Sequence, residues 1–402
     1  MKIDLYSGKQ GLDYHQVPLD RIKTAGVPAF AQYQPDLAQL KEMAAPYNHF
    51  SKILLIGNGG SITSFWAFYK ALAIYRSPKQ VEILSTMDPD FVDYIKENFG
   101  PEETLIIPIS KSGNTVGVLE DLFAFEGYTM LPITSEGKGA LYQIAVRRGL
   151  DYLVIPEPIG GRFSGRTPCG YFPAILCGID IEGIEAGAQK MYQQCHPSVG
   201  IEDNPALKVA SFLYLLDQAG YSEIFAPIYS LQLIGFNTLL VQLIHESSCK
   251  EGRGQTIYGS FAPESQHHTN QRFFGGRQNV VGFFVIAAEQ THTELITRVP
   301  TDLAEIPLGD HTLGNLSGIP LSAALRFEYE GTKADAEDKG IPYAGINVDK
   351  ITPEEVGSLL AFFHYLAVYA SLLRGVNPYD QPQVEASKRI SYRLRMDYDR
   401  QG

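Results

Sequence analysis

From Ser51 onward, short runs of aliphatic and β-branched residues recur, each followed by a stretch of helical length. KILLIG (52–57), VEILST (81–86), TLIIPIS (104–110), TMLPIT (129–134) and YLVIP (152–156) predict strands, with helices over 63–74, 89–98, 116–125 and 140–147. This is the βαβ rhythm of a parallel sheet. The segment IGGRFSG (159–165) leaves that layer, and a second set begins after about Pro205. Strands are expected at 223–230, 279–288, near 304–307 and at 343–348, and helices over 206–218, 231–246, 313–329 and 353–374. The tail over 381–395 reads as a last helix.

The pattern therefore predicts an α/β fold of two tandem three-layer α/β/α sandwich domains with mainly parallel, doubly wound sheets. The expected boundaries are an N-terminal extension packed on the domains (1–50), a first α/β domain (51–200), a second (201–380) and a C-terminal helix (381–402). At 402 residues, 45% hydrophobic and 19% charged, the chain is long enough for two cores of ordinary size, and a single core is not expected.

Charge narrows the partner. A net charge of -12 repels nucleic acid and anionic membranes at long range, so a phosphate-bearing partner must be held by a local positive site. A small anionic metabolite fits best. Cys169, Cys177, Cys195 and Cys249 form no C-x-x-C pair or zinc-like spacing, and MKIDLYSGKQ has no signal-like apolar region, so a cytoplasmic location is expected. The longest apolar stretch, Ile224 to Ile244, is interrupted by Gln232, Asn237 and Gln242 and reads as a buried helix.

Six motifs sit where strands end or helices begin. Gly57-Asn58-Gly59-Gly60-Ser61 follows a strand, where glycines let backbone N–H groups approach an anion, although Ile62 stands where a dinucleotide fingerprint wants glycine. A plain tight turn explains it nearly as well. In Ser110-Lys111-Ser112-Gly113-Asn114-Thr115 the hydroxyls of Ser110, Ser112 and Thr115 suit phosphate oxygens at a helix start, while simple helix capping is the competing explanation. Gly160-Gly161-Arg162-Phe163-Ser164 offers an arginine for a developing oxyanion, or an interdomain ion pair. In the segment from Gln242 to Lys250, Gln242 and Glu246 are four apart on one helical face, so an amide and a base can address one molecule; a surface pair of Glu246 with Lys250 is the alternative. Glu264-Ser265-Gln266-His267-His268 lacks a third metal ligand at useful spacing, and Lys388 in YDQPQVEASK by itself reads as a solvated helix lysine.

Taken in order over roughly residues 50–395, these motifs closely resemble the phosphoglucose isomerase family, whose two sugar-isomerase (SIS) layers they punctuate. The resemblance implies interconversion of glucose 6-phosphate and fructose 6-phosphate through ring opening and a cis-enediolate. It implies that Ser110, Lys111, Ser112 and Thr115 hold the sugar phosphate, with Gly60 and Ser61 lining the same pocket, while Gln242 binds sugar hydroxyls. Glu246 would shuttle the proton between C2 and C1, Arg162 would stabilise the enediolate, and His267 and Lys388 would open the ring. It further implies a homodimer sharing His267 across subunits, a terminal helix returning to the active site, and no cofactor or metal. The chain departs from the family at Ser247-Ser248-Cys249-Lys250, where Ser-Asn-Gly-Lys is usual, and at Ala262-Pro263-Glu264-Ser265, where Gly-Thr-Asn-Gly is usual. Two other readings share these residues: a bifunctional phosphoglucose and phosphomannose isomerase, and a non-catalytic sugar-phosphate sensor, which would need no base.

Overall fold

The computed structural model describes residues 1–290 and 294–398; residues 399–402 of the expected terminal segment lie outside the described residues. In the first sheet Lys52–Gly57 is flanked by Gln80–Leu84 on one side and Thr104–Ser110 on the other, followed by Ile133–Thr134 and Leu153–Val154, all parallel. The TMLPIT run is split into Thr129–Met130 and Ile133–Thr134, with Pro132, which has no N–H to donate, between them. Numbered along the chain the order is 2-1-3-4-5, so the winding reverses between the carboxyl ends of Lys52–Gly57 and Thr104–Ser110. Open α/β sheets take ligands outside that point. The GNGGS and SKSGNT loops leave these two strands.

The second sheet repeats the winding. Thr256–Phe261, Glu223–Ile228, Val280–Glu289 and Tyr343–Lys350 lie side by side in parallel, and Lys2–Tyr6 adds an antiparallel edge. The first residues are thus part of this sheet as well as an extension. Several expectations need correction. The strand near 304–307 is Pro307–Leu308, which pairs with His311–Thr312 in a separate hairpin and, among the described residues, joins neither main sheet. The helix expected over 313–329 starts at Leu321, after Pro320, and runs to Lys339, where Gly340 takes the left-handed conformation. Ile224 to Ile244 covers nearly all of the strand Glu223–Ile228, the turn Leu231–Leu233 and most of the helix Gly235–Ser248, not one buried helix. Helices Pro168–Leu176 and Ile181–Gln194 fill a stretch that the pattern left open.

Side-chain alternation along the central strands decides where the core sits. Ile53, Leu55, Leu105 and Ile107 point inward and join Leu239, Val281, Phe283 and Leu360 in one continuous buried cluster shared by both halves. Leu54, Ile56 and Ile106 point outward beneath Val118 and Leu122, and Phe225, Phe284 and Tyr343 form the matching outer cluster of the second half. The two expected cores are therefore fused on their inner side. At the centre of the fused core runs Pro353–Arg374, a helix long and apolar enough to cross a membrane, of which 94% of the most apolar window is buried inside the protein. It packs on Ile181–Gln194, Pro205–Gln218 and Gly235–Ser248.

Candidate active site

The helix Gly235–Ser248 belongs to the second half, yet its last turn faces the turn Gly161–Arg166 that follows the first sheet. Gly60 makes this junction possible: a Cβ there would stand 2.2 Å from Gly161 C and 2.3 Å from Arg162 N, both backbone atoms. The GNGGS loop thus lies directly against the GGRFS turn. Ser164 Oγ donates to the carbonyl of Gly60 at 3.1 Å and completes the clasp.

Arg162 is buried, with its side chain only 2% exposed. Its Nε donates to Ser247 Oγ at 2.8 Å, its Nη1 to Glu246 Oε2 at 3.1 Å and to Gln381 Oε1 at 2.9 Å, and its Nη2 to the carbonyls of Pro378 at 2.5 Å and Asp380 at 3.2 Å. Burial holds the guanidinium pKa below its ordinary value, and the Glu246 carboxylate offsets part of that. The segment supplying those carbonyls is held in turn by Lys250, whose Nζ donates to Asp380 Oδ1 and to the Asp380 carbonyl at 2.6 Å each, and to the carbonyl of Asn377. Lys250 holds the Asp380 carboxyl below the usual carboxylate range.

Glu246 keeps 28% of its side chain exposed. One oxygen faces Arg162; the other accepts from Gln242 Nε2 at 3.0 Å, and Gln242 Oε1 accepts from Thr63 Oγ1 at 3.2 Å. The i, i+4 spacing read from the sequence has brought amide and carboxylate together. A carboxylate with open solvent access, one oxygen on a buried cation and the other on an amide, can take a proton from a small molecule and return it. The neighbouring His245 is not part of this: its Nε2 accepts from the Ile257 N–H at 3.0 Å, and burial lowers its pKa.

The hydroxyl loop stands at the reversal of the first sheet. Ser110 Oγ and Thr115 Oγ1 are 2.8 Å apart, and Ser112 Oγ accepts from the Asn114 N–H at 3.2 Å. Thr115 occupies the N-cap of Val116–Phe123 without making a side-chain cap bond. Ser61 lies on the turn after Lys52–Gly57, half-buried. Lys111 lies on the same loop as these hydroxyls, and its Nζ is engaged by main-chain carbonyls. Its Nζ donates to the carbonyls of Glu157 at 2.8 Å and Ile159 at 2.6 Å, bracing the segment that leads to Arg162, and burial lowers its pKa.

His267 and Lys388 make no hydrogen bond to this cluster. His267 is exposed on the turn Glu264–His267, and Lys388 is exposed on the terminal helix Glu385–Met396, where it pairs with Glu385 at 2.9 Å. That helix is tied to Val116–Phe123, the helix after the hydroxyl loop, by a bidentate pair: Arg395 Nε to Glu120 Oε1 at 2.6 Å and Nη2 to Oε2 at 2.9 Å. Sequence reasoning did not assign roles to Thr63, Ser247, Lys250, Asp380 and Gln381. Among the described residues, no group of three or more His, Cys, Asp and Glu side chains stands where it could hold a metal ion.

This fold recurs in solved structures. A hypothetical protein of Thermus thermophilus superposes with a TM-score of 0.87 at 23% identity, covering 99% of this chain and all of the other. A glucose-6-phosphate isomerase of Chlamydia trachomatis superposes at 0.76 with 20% identity, over 90% of this chain and 74% of that one. Two doubly wound, mainly parallel sheets packed by helices make this an α/β protein of SIS-like architecture. A scan against family models finds no match. In sequence, the glucose-6-phosphate isomerase of Rubrobacter xylanophilus is 30% identical over 357 residues, spanning 84% of this chain and 81% of the relative. The chain belongs to the glucose-6-phosphate isomerase family.

Proposed function

We propose that the protein interconverts glucose 6-phosphate and fructose 6-phosphate, with Glu246 as the base. The observation that carries this reading is the solvent-reachable Glu246 carboxylate, bonded through one oxygen to buried Arg162 and through the other to Gln242. Moving hydrogen between C1 and C2 of a 2-hydroxy aldehyde needs a base on one face of a planar enediol, a cation for the developing oxyanion and an anchor for the phosphate. Ser110, Ser112 and Thr115, beside the N–H groups that open Val116–Phe123, serve as the anchor, with Gly60 and Ser61 along the same crevice and Lys111 bracing it.

Glu246 takes the proton from C2 and returns it to C1. Arg162 compensates the charge on the enediolate oxygen without reorganising, since its remaining N–H groups are already fixed on Ser247, Pro378, Asp380 and Gln381. Gln242 turns its amide to the sugar hydroxyls. His267 and Lys388 act on the ring oxygen and its hydroxyl. The exposure of His267 in a single chain fits a site to which a second copy contributes that histidine, and a cytoplasmic homodimer is part of the proposal, as are the unit boundaries near residues 50, 200 and 380.

Replacing Glu246 with Gln keeps the volume and removes the base. Turnover should fall at least ~10³-fold with an unchanged circular dichroism spectrum. A variant that keeps a tenth of the activity would refute the assignment. Ser112→Ala should chiefly raise the KM for the phosphorylated sugar, since one of several donors is lost.

A further inference from the structure

A cavity of about 490 Å³ shares no lining residue with the Glu246 cluster. Arg21, Asp217, Ser222, Arg253 and Arg374 contribute to its walls. Arg374 is closed off: its Nε binds Asp217 Oδ2 at 2.8 Å and its Nη2 binds Gln255 Oε1 at 2.8 Å, so this charge is matched. Asp217 is the one carboxylate lining the cavity among the described residues. Arg21 and Arg253 therefore stand without a carboxylate partner in the cavity. Each donates through Nη1 to a terminal carbonyl of the helix Pro353–Arg374, Arg21 to Leu373 at 2.6 Å and Arg253 to Arg374.

That helix end carries only about half a negative charge, which leaves more than one positive charge in excess. The two guanidiniums also converge. Both Nη1 atoms lie 3.2 Å from the position that a Cβ on Gly375 would take, so they are no more than twice that distance apart. Two exposed guanidiniums held this close, each with further N–H donors, match the geometry of a dianion that accepts from both. In a chain of net charge -12 such a spot gathers anions against the overall field.

Both walls lead into the catalytic cluster. The loop bearing Gly252 to Gly254 begins directly after the helix of Glu246 and includes Lys250; the wall at Leu373 and Arg374 continues into Pro378, Asp380 and Gln381, which hold Arg162. We propose that this cleft is a binding site for a small phosphate-class anion, and that its occupancy changes turnover at Glu246.

Inorganic phosphate is the probe. Calorimetric titration of the full-length protein should find two phosphate sites per chain, of which saturating glucose 6-phosphate blocks one. The double variant Arg21→Gln/Arg253→Gln should keep only the blockable site. Gln218→Glu, which adds a negative charge at the cleft and leaves the helix end untouched, should weaken the second site about tenfold or more and serves if the double variant folds poorly. One site in the wild type, or a second site that neither change weakens, overturns the proposal. The turnover part rests on the isomerase reading: phosphate should change kcat at saturating substrate at least about twofold in the wild type and not in the variants. An unchanged kcat in an active enzyme overturns the coupling, whereas an inactive wild type that still binds two phosphates overturns the isomerase reading and leaves the site standing.

Discussion

Gly60→Ala tests whether the contact between the two glycine loops sets the position of Arg162. The added Cβ would meet Gly161 C at 2.2 Å, Arg162 N at 2.3 Å and the Gly161 carbonyl oxygen at 2.4 Å. Non-bonded carbon atoms settle near 3.5 to 4.0 Å, so one loop must retreat by about 1 Å. None of the three atoms is a side chain that can swing away. The GNGGS loop is anchored by its strand, whose residues are buried, and the movement falls on the Gly161–Arg166 turn. Overpacking of this kind costs about 1–3 kcal/mol in stability. The larger effect is on rate, because a 1 Å displacement of a group that must meet a transition state lowers turnover by about 10²-fold. The assay is formation of fructose 6-phosphate from glucose 6-phosphate, beside a thermal melt of the same preparation. The expected result is a folded protein with a modestly lower Tm and a kcat reduced far more than its KM is raised. A variant within threefold of wild-type kcat would show that Arg162 is placed by something other than this clasp.

Asp121 is buried among the core-facing residues of Val116–Phe123, its Oδ2 has no hydrogen-bond partner, and burial, with Glu120 adding to it, raises its pKa to about 6. The folded state then keeps a proton that the unfolded state releases, so stability falls as pH rises from about 4 to 6; Asp121→Asn should stabilise the protein by about 1–3 kcal/mol at pH 7.5, with the gain vanishing near pH 4, and equal Tm values at pH 7.5 would refute it. Arg395→Glu should release the terminal helix from Glu120 and raise its amide exchange rates several-fold while changing Tm little, since exposed ion pairs contribute about 0–1 kcal/mol. The reversed pair Glu120→Arg/Arg395→Glu should restore protection, and no rescue would mean that the bidentate contact is not what seats the helix.

What could be read in advance was what local pattern encodes. Lys52–Gly57 and Thr104–Ser110 are almost wholly buried and wholly apolar over most of their length, so their strand character stands out. Thr256–Phe261 is hidden by its polar residues and by Gly259, where Asn237 Oδ1 takes the space of a Cβ at 1.9 Å. Pro168–Leu176 contains Gly170 and Pro173 and still folds as a helix, because burial outweighs weak propensity. Lys2–Tyr6 pairs with Tyr343–Lys350, and no local signal points across the length of the chain. Within the site, Gln242 and Glu246 were visible because they share one helical turn. Lys250 and Asp380 meet across 130 positions, which the path of the chain alone reveals, and the carbonyls of Glu157 and Ile159 that Lys111 meets lie 46 and 48 positions along the chain, equally beyond local pattern.

The same winding occurs twice, yet the chemistry does not. The first half supplies the hydroxyl loop and Arg162, the second supplies Gln242 and Glu246, and the segment after Pro353–Arg374 closes around the arginine. A base and its counter-charge drawn from different halves keep a 3.1 Å contact only if the halves cannot slide. The fused inner core meets that need: the helix that carries Glu246 buries Leu239, Leu240, Leu243 and Ile244 in the same cluster as Ile53 and Leu55 from beneath the GNGGS loop. The outer clusters remain separate and contribute no residue to the contact between Glu246 and Arg162. Truncating the inner residues should therefore lower activity more steeply per unit of lost stability than truncating the outer ones, and comparing Leu243→Ala with Ile95→Ala on the outer helix Pro89–Asn98, each expected to cost about 2–5 kcal/mol, measures that difference. Equal loss of activity at matched stability would mean that the joint is held by the polar contacts around Arg162 and not by the shared core.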